Sequence, residues 1–150
     1  MSHTYTKLLS HVVFSTKDRM KLITRDMQPR LWAYMGGVTR TAEAEALGIG
    51  GIEDHAHMLL LTPARLSLSD VVRDIKAYSS KWMTQEFGMK GKFAWQTGYA
   101  AFSVSQSKAP DVLNYIAHQN EHHHGEDFKV ELVKLLELHE VEYDERYLWD

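Results

Sequence analysis

LGIGGIED followed by HAHMLLLTP, residues 47–63, constrains the fold more than any other stretch of the chain. Two short apolar runs, rich in glycine at the first and stopped by Pro63 at the second, read as a β-hairpin. In an extended strand alternate side chains share a face, so His55 and His57 stand side by side, about 7 Å apart along the chain, with Ala56 turned away. Two imidazoles so placed can converge on one metal ion, and Glu53 or Asp54 lies close enough to orient them through their second ring nitrogens. Surface or hydrogen-bonded core histidines at a hairpin end are the competing reading.

Around this hairpin the pattern alternates between strand and helix. KLLSHVVFS, residues 7–15, has the β-branched, apolar character of a strand, and the polar TKDRMK after it reads as a turn. Thr24 offers a cap for a helix running through residues 24–46, with Leu31, Met35, Val38 and Ala42 at helical spacing and Gly36 and Gly37 weakening its middle. Ser69 precedes a second helix that carries Val72, Ile75, Ser79 and Met83 along one side. A fourth strand is expected around Tyr99–Ser105. A third helix follows in APDVLNYIAHQNEHHHG, with Pro110 in its first turn and Gly125 beyond its last, then a fourth in EDFKVELVKLLELHEV. The order is the βαββαβ of ferredoxin-like α+β folds: an antiparallel sheet with helices on one face, plus appended C-terminal helices. With 150 residues and no repeat or linker, residues 1–150 are expected to form a single domain.

Composition narrows the chemistry. The absence of cysteine excludes disulfides and thiolate zinc sites. No run approaches the roughly 18 apolar residues of a membrane span, and the N-terminus lacks a signal-type apolar segment, so no membrane partner and a cytoplasmic location are expected. The net charge of −3 argues at first against nucleic acid, yet it is unevenly spread. Residues 1–110 hold 14 Lys and Arg against 9 Asp and Glu, whereas residues 111–150 hold 3 against 11. A phosphate-binding surface on the body therefore stays open.

NYIAHQNEHHH holds a second constellation. Tyr115 and Gln119 lie four residues apart on a predicted helix, one above the other, with His122 next along the stripe. A phenol and an amide on one face suit a nucleophile beside a metal ligand; a packed tyrosine and a solvent-facing glutamine would give the same spacing. His118 and His122 are also four apart, and with His55 and His57 they would form a four-imidazole zinc site, the basis of a hydrolase alternative. The run His122, His123 and His124 reads either as a solvated helix end that complements the dipole or as part of a phosphate or metal environment.

DHAHMLL before a helix, then WQTGYAAFSVS, then NYIAHQNEHH, with the closing EYDERYLWD, together resemble the small single-tyrosine HUH transposases of the insertion-sequence 200/605 group, from about Tyr5 to Trp149. The residue between the histidines, usually bulky and hydrophobic there, is Ala56. The resemblance implies that His55, His57 and Gln119 bind a divalent cation, Mg²⁺ or Mn²⁺, and that Tyr115 attacks a DNA phosphate to leave a 5′-phosphotyrosine and a free 3′-hydroxyl. It further implies a homodimer acting on single-stranded DNA hairpins near an element's ends, in which one subunit's tyrosine can serve the other's histidines. For DNA contact the candidates are the basic Lys17, Arg19, Lys21 and Arg25, then Lys76 and Lys81 on the second helix, and Trp95, Gln96 and Tyr99 for unpaired bases. The non-enzymatic alternative is a domesticated nucleic-acid-binding protein that keeps the fold without transposition.

Overall fold

A computed structural model describes residues 3–122 and 127–149. The strands are β1 (Leu8–Ser15), β2 (Glu45–Ile52), β3 (His55–Thr62) and β4 (Ala100–Val104). The helices are α1 (Gln28–Thr41), α2 (Leu68–Glu86), α3 (Ala109–Ala117), α4 (Gln119–His122) and α5 (Phe128–Leu138). The sheet runs β2-β3-β1-β4 with every neighbouring pair antiparallel. This is the expected α+β, ferredoxin-like arrangement.

The sheet is covered on both faces, and the period-two alternation of β1 and β3 decides what each face holds. Val12, Phe14, Ala56, Met58 and Leu60 point one way, into a core closed by Leu31 and Met35 of α1 and Val72, Ile75 and Met83 of α2. At about 1.5–3 kcal/mol for each fully buried large apolar side chain, this layer is the main source of stability. Leu9, His11, Val13, His55, His57 and Leu59 occupy the alternate positions, and Leu9, Val13 and Leu59 pack beneath α3 and α5 through Ile116, Phe128, Leu132 and Leu136. The appended C-terminal helices thus form the second layer.

Local details depart from the sequence reading in three places. Ser67, not Ser69, caps α2: its hydroxyl accepts from the Asp70 amide at 3.2 Å, while Ser69 sits in the first turn with its hydroxyl 2.7 Å from that of Ser67. α1 begins at Gln28, because Thr24 makes a turn whose carbonyl accepts from the amides of Met27 and Gln28. It ends at Thr41, and Glu43 at φ +67° turns the chain into β2. The expected long third helix breaks at His118 (φ −112°, ψ 33°), dividing α3 from α4. Gly125, His123 and His124 lie outside the described residues.

Two glycines of β2 set the height of α3 above the sheet. A Cβ on Gly48 would meet Leu113 at 2.6 Å, and one on Gly50 would meet the Ile116 carbonyl oxygen at 2.3 Å. The second contact is with backbone, which cannot swing aside, so only glycine lets α3 lie this close. Gly50→Ala should lift α3 and the Tyr115 it carries. We expect a stability loss of about 1–3 kcal/mol in denaturant unfolding, together with a larger than tenfold fall in activity, since small misplacements of reacting groups are costly.

Candidate metal centre and nucleophile

β3 delivers His55 and His57 to the face opposite the α1/α2 core, and both are 0% exposed. α4 brings Gln119 (2% exposed) and α5 brings Glu131 (3% exposed) over them, so all four side chains are buried. Gln119 Oε1 lies 3.0 Å from His55 Nε2, and Glu131 Oε1 lies 2.8 Å from His57 Nε2 and 3.5 Å from His55 Nε2. The Gln119 amide nitrogen donates to the Tyr115 carbonyl at 3.3 Å, which turns the amide oxygen toward the imidazoles.

Each imidazole is oriented from behind. Asp54 Oδ1 accepts from His55 Nδ1 at 2.7 Å, and His11 Nε2 lies 2.8 Å from His57 Nδ1 with the two rings stacked at 5.0 Å. Phe128 of α5 stacks on His55 at 4.3 Å and closes the pocket from above. Burial, and then the neighbouring His57, push the pKa of His11 down to about 3. Neutral His11 can accept from His57 Nδ1–H, the tautomer that would offer the His57 Nε2 lone pair to a bound ion in place of its contact with Glu131.

The residues fit a divalent cation. Ligand atoms of His55, His57 and Glu131 all lie within 4.8 Å of one another, and the Gln119 oxygen adds a fourth donor on the same side. Two imidazoles, a carboxylate and an amide oxygen suit Mn²⁺ or Mg²⁺ better than a thiol-seeking ion. Tyr115 of α3 reaches the same place. Its hydroxyl donates to Glu131 Oε2 at 2.5 Å, and its ring stands edge-on to His57 at 5.6 Å. Tyr115 and His11 also line an open groove of about 450 Å³ between β4, α3 and α5, with Ser103, Lys108 and His139 on its walls.

The structure therefore unites His55, His57, Gln119 and Tyr115 within one chain. Two contributors escape a reading of the sequence by motif alone. Glu131 is the charged member of an apolar stripe with Phe128 and Leu132, a mismatch that marks a buried carboxylate. His11 shares the alternation of Leu9 and Val13 on β1, and the diagonal across the sheet sets it behind His57.

Other assignments need correction. His118 is exposed and its ring is bonded to the Asn114 carbonyl at 2.7 Å, so it stands away from the buried pair and the four-imidazole zinc site does not form. Trp95 is a core residue, 7% exposed, with its indole nitrogen donating to Ser79 Oγ at 2.9 Å and its ring edge-on to Phe14, so it has no free face for a base. Gln96 is equally buried, its Oε1 accepting from the Ser15 amide at 2.7 Å. The Lys76 ammonium donates to the carbonyls of Gln96, Thr97 and Gly98 at 2.6, 3.2 and 2.6 Å, and burial pushes its pKa down to about 8. Lys76 pins a loop in this structure. Lys17, Lys21, Arg25, Lys81 and Tyr99 are exposed, and half-buried Arg19 lies over Trp149 at 5.0 Å. Lys17 follows β1 at the end of the sheet where Ser15 pairs with His55, which puts the basic segment beside the centre.

A ferredoxin-like sheet thus presents an oriented histidine pair to a helix-borne tyrosine. Residues 4–119 match the IS200-like transposases, and the chain belongs to that family. It is 27% identical over 126 residues to the transposase for insertion sequence element IS200 of Salmonella typhimurium, covering 81% of this chain and 82% of that protein. The Salmonella typhi transposase for the same element matches to the same extent. Among solved structures, a candidate transposase from Deinococcus radiodurans R1 shares the fold at TM-score 0.64 and 22% identity, over 79% of this chain and 96% of the other. A REP-associated tyrosine transposase bound to a REP hairpin shares it at TM-score 0.60 and 17% identity, over 83% and 73% of the two chains. Among the described residues no helix is long and apolar enough to cross a membrane.

Two outcomes follow for His11. His11→Phe keeps a ring on His57 but removes the acceptor, so Mn²⁺ affinity measured calorimetrically should fall about 10–100-fold, and His11→Gln should recover part of it. Between about pH 3 and 6.5 the unfolded chain binds a proton at His11 that the folded chain does not, so stability should fall as pH drops through this window. Urea unfolding across that range should show a shallower pH slope in His11→Phe than in the unaltered protein.

Proposed function

We propose that this transposase cleaves and rejoins single-stranded DNA by attack of Tyr115 on a backbone phosphate, giving a 5′-phosphotyrosine and a free 3′-hydroxyl. The observation that supports this reading most is the convergence of the Tyr115 hydroxyl on the histidine pair through one buried carboxylate. His55, His57, Gln119 and Glu131 would hold a Mg²⁺ or Mn²⁺ ion, which when bound would draw charge from a non-bridging phosphate oxygen as phosphorus gains its fifth ligand.

The chain's own residues supply the rest. Asp54 and His11 keep both imidazoles in the binding orientation, and Phe128 keeps water off them. The groove beside Tyr115 supplies a route for a single strand, with Lys108 placed to meet a phosphate. Lys17, Lys21, Arg25 and Lys81 add salt-sensitive, sequence-independent attraction, and exposed Tyr99 is available to an unpaired base. Because the phosphodiester is exchanged for a phosphotyrosine ester of similar energy, a DNA 3′-hydroxyl can reverse the step, so strand transfer needs no external energy. Subterminal hairpins are the proposed recognition element, in keeping with the hairpin held by the REP-associated relative. One cytoplasmic domain assembling as a homodimer is the proposed working form.

Incubation with labelled single-stranded hairpin DNA and Mn²⁺ should give a covalent adduct that Tyr115→Phe abolishes, while DNA affinity changes less than about threefold. A protein that shifts the DNA but never attaches to it would be the domesticated binder instead. Because one chain already unites the four groups, mixing Tyr115→Phe with His57→Ala subunits should not restore cleavage. Recovery of activity on mixing would show that the tyrosine acts across the dimer.

A further inference from the structure

We propose that Glu131 is a catalytic residue that takes the phenolic proton of Tyr115 as the tyrosine attacks, a step that rests on the nucleophile reading above. A free tyrosine has a pKa near 10, so only about one molecule in a thousand is phenolate at neutral pH. Attack at a useful rate needs an acceptor at hydrogen-bond distance. Glu131 Oε2 meets the Tyr115 hydroxyl at 2.5 Å.

The two carboxylate oxygens are divided between two tasks. Oε1 faces the imidazole pair, 2.8 Å from His57 Nε2 and 3.5 Å from His55 Nε2, while Oε2 faces the nucleophile. Local structure fixes this split. Asp127 caps α5 by accepting from the Val130 amide at 3.1 Å, and Phe128 and Leu132 bury the stripe on either side of Glu131, so the carboxylate enters the cluster from a capped, packed first turn. His57 and His11 present ring edges or faces to the phenol at centroid distances of 5.6 and 6.2 Å, geometries that pack the ring without receiving its proton.

The step balances as follows. The Tyr115 O–H bond breaks and its proton passes to Glu131, the phenolic oxygen bonds to phosphorus, and the phosphorus–3′-oxygen bond breaks with its electron pair leaving on oxygen, which takes a proton from water. Glu131 keeps its proton through the covalent intermediate. When an incoming 3′-hydroxyl displaces the tyrosine, its own proton goes to water and Glu131 returns the stored one to the phenolic oxygen.

The test is single-turnover adduct formation on a labelled single-stranded oligonucleotide carrying a hairpin from the DNA bordering the gene, in Mn²⁺. Glu131→Gln keeps the size and one oxygen but not the basicity, so adduct formation should slow by about 10²–10⁴-fold, the usual worth of general-base catalysis. Glu131 is also a proposed metal ligand, so Mn²⁺ affinity, read by electron paramagnetic resonance, should weaken over the same substitution, and adduct rates are compared at saturating Mn²⁺. Installing a fluorinated tyrosine of lower pKa at position 115 should restore at least about tenfold in E131Q, because a more acidic phenol needs no acceptor. With Glu131 intact, the same fluorotyrosines should alter the rate by no more than about threefold, a measurement that does not depend on E131Q folding. Wild-type adduct rates in E131Q, no rescue by fluorotyrosine, or a steep rise with phenol acidity while Glu131 is present would each overturn the proposal. Absence of any adduct in the unaltered protein would instead overturn the nucleophile reading, and this inference with it.

Discussion

The hydrogen bonds of one buried carboxylate join what would otherwise be two separate layers. Glu131 lies against His57 through one oxygen and Tyr115 through the other, so β3, α3 and α5 meet at a single side chain. A carboxylate taken out of water is costly unless every lone pair finds a partner. The chain meets that cost where, in the proposed mechanism, a divalent ion and a reacting phenol would meet, and where preorganised charge would have most effect on a phosphoryl transfer.

The division of labour between the sheet's faces follows from β-strand geometry. One face carries Val12, Phe14, Ala56, Met58 and Leu60 into the core against α1 and α2, and with it the bulk of the folding energy. That leaves the opposite face able to bury His11, His55 and His57 without compromising the main core. Gly48 and Gly50 extend the same logic to β2, where a missing Cβ allows a helix backbone to sit on the strand. Gln119 opens α4 just past the break at His118, and its amide oxygen reaches His55. The basic residues after β1 emerge at this same end of the sheet, beside the histidine pair.

Much of this was legible from residue order. The alternation in HAHMLLLT places both imidazoles on one face, and the four-residue spacing of Tyr115 and Gln119 places phenol and amide together, because both are local periodicities. The strand and helix order likewise reports local hydrophobic pattern. Glu131 was not legible as a partner of these groups, since its role depends on how α5 folds back over the sheet from 74 residues beyond His57. His11 is hidden for a similar reason: a histidine in an apolar strand gains meaning only from the register that sets it behind His57. Trp95, Gln96 and Lys76 show the opposite failure. Aromatic, amide and ammonium groups serve nucleic acid well, but here Ser79, Ser15 and three loop carbonyls claim them.

The convergence of strand imidazoles, helix phenol and buried carboxylate on one ion within one polypeptide is the central claim, and anomalous diffraction from crystals grown with Mn²⁺ tests it most directly. A single strong peak is expected at about 2.0–2.6 Å from Nε2 of His55 and of His57, the span of divalent metal–ligand bonds, with Gln119, Glu131 and Tyr115 of that same chain around it. A peak elsewhere, or one at the histidines with Tyr115 and Glu131 of that chain turned away, would contradict it.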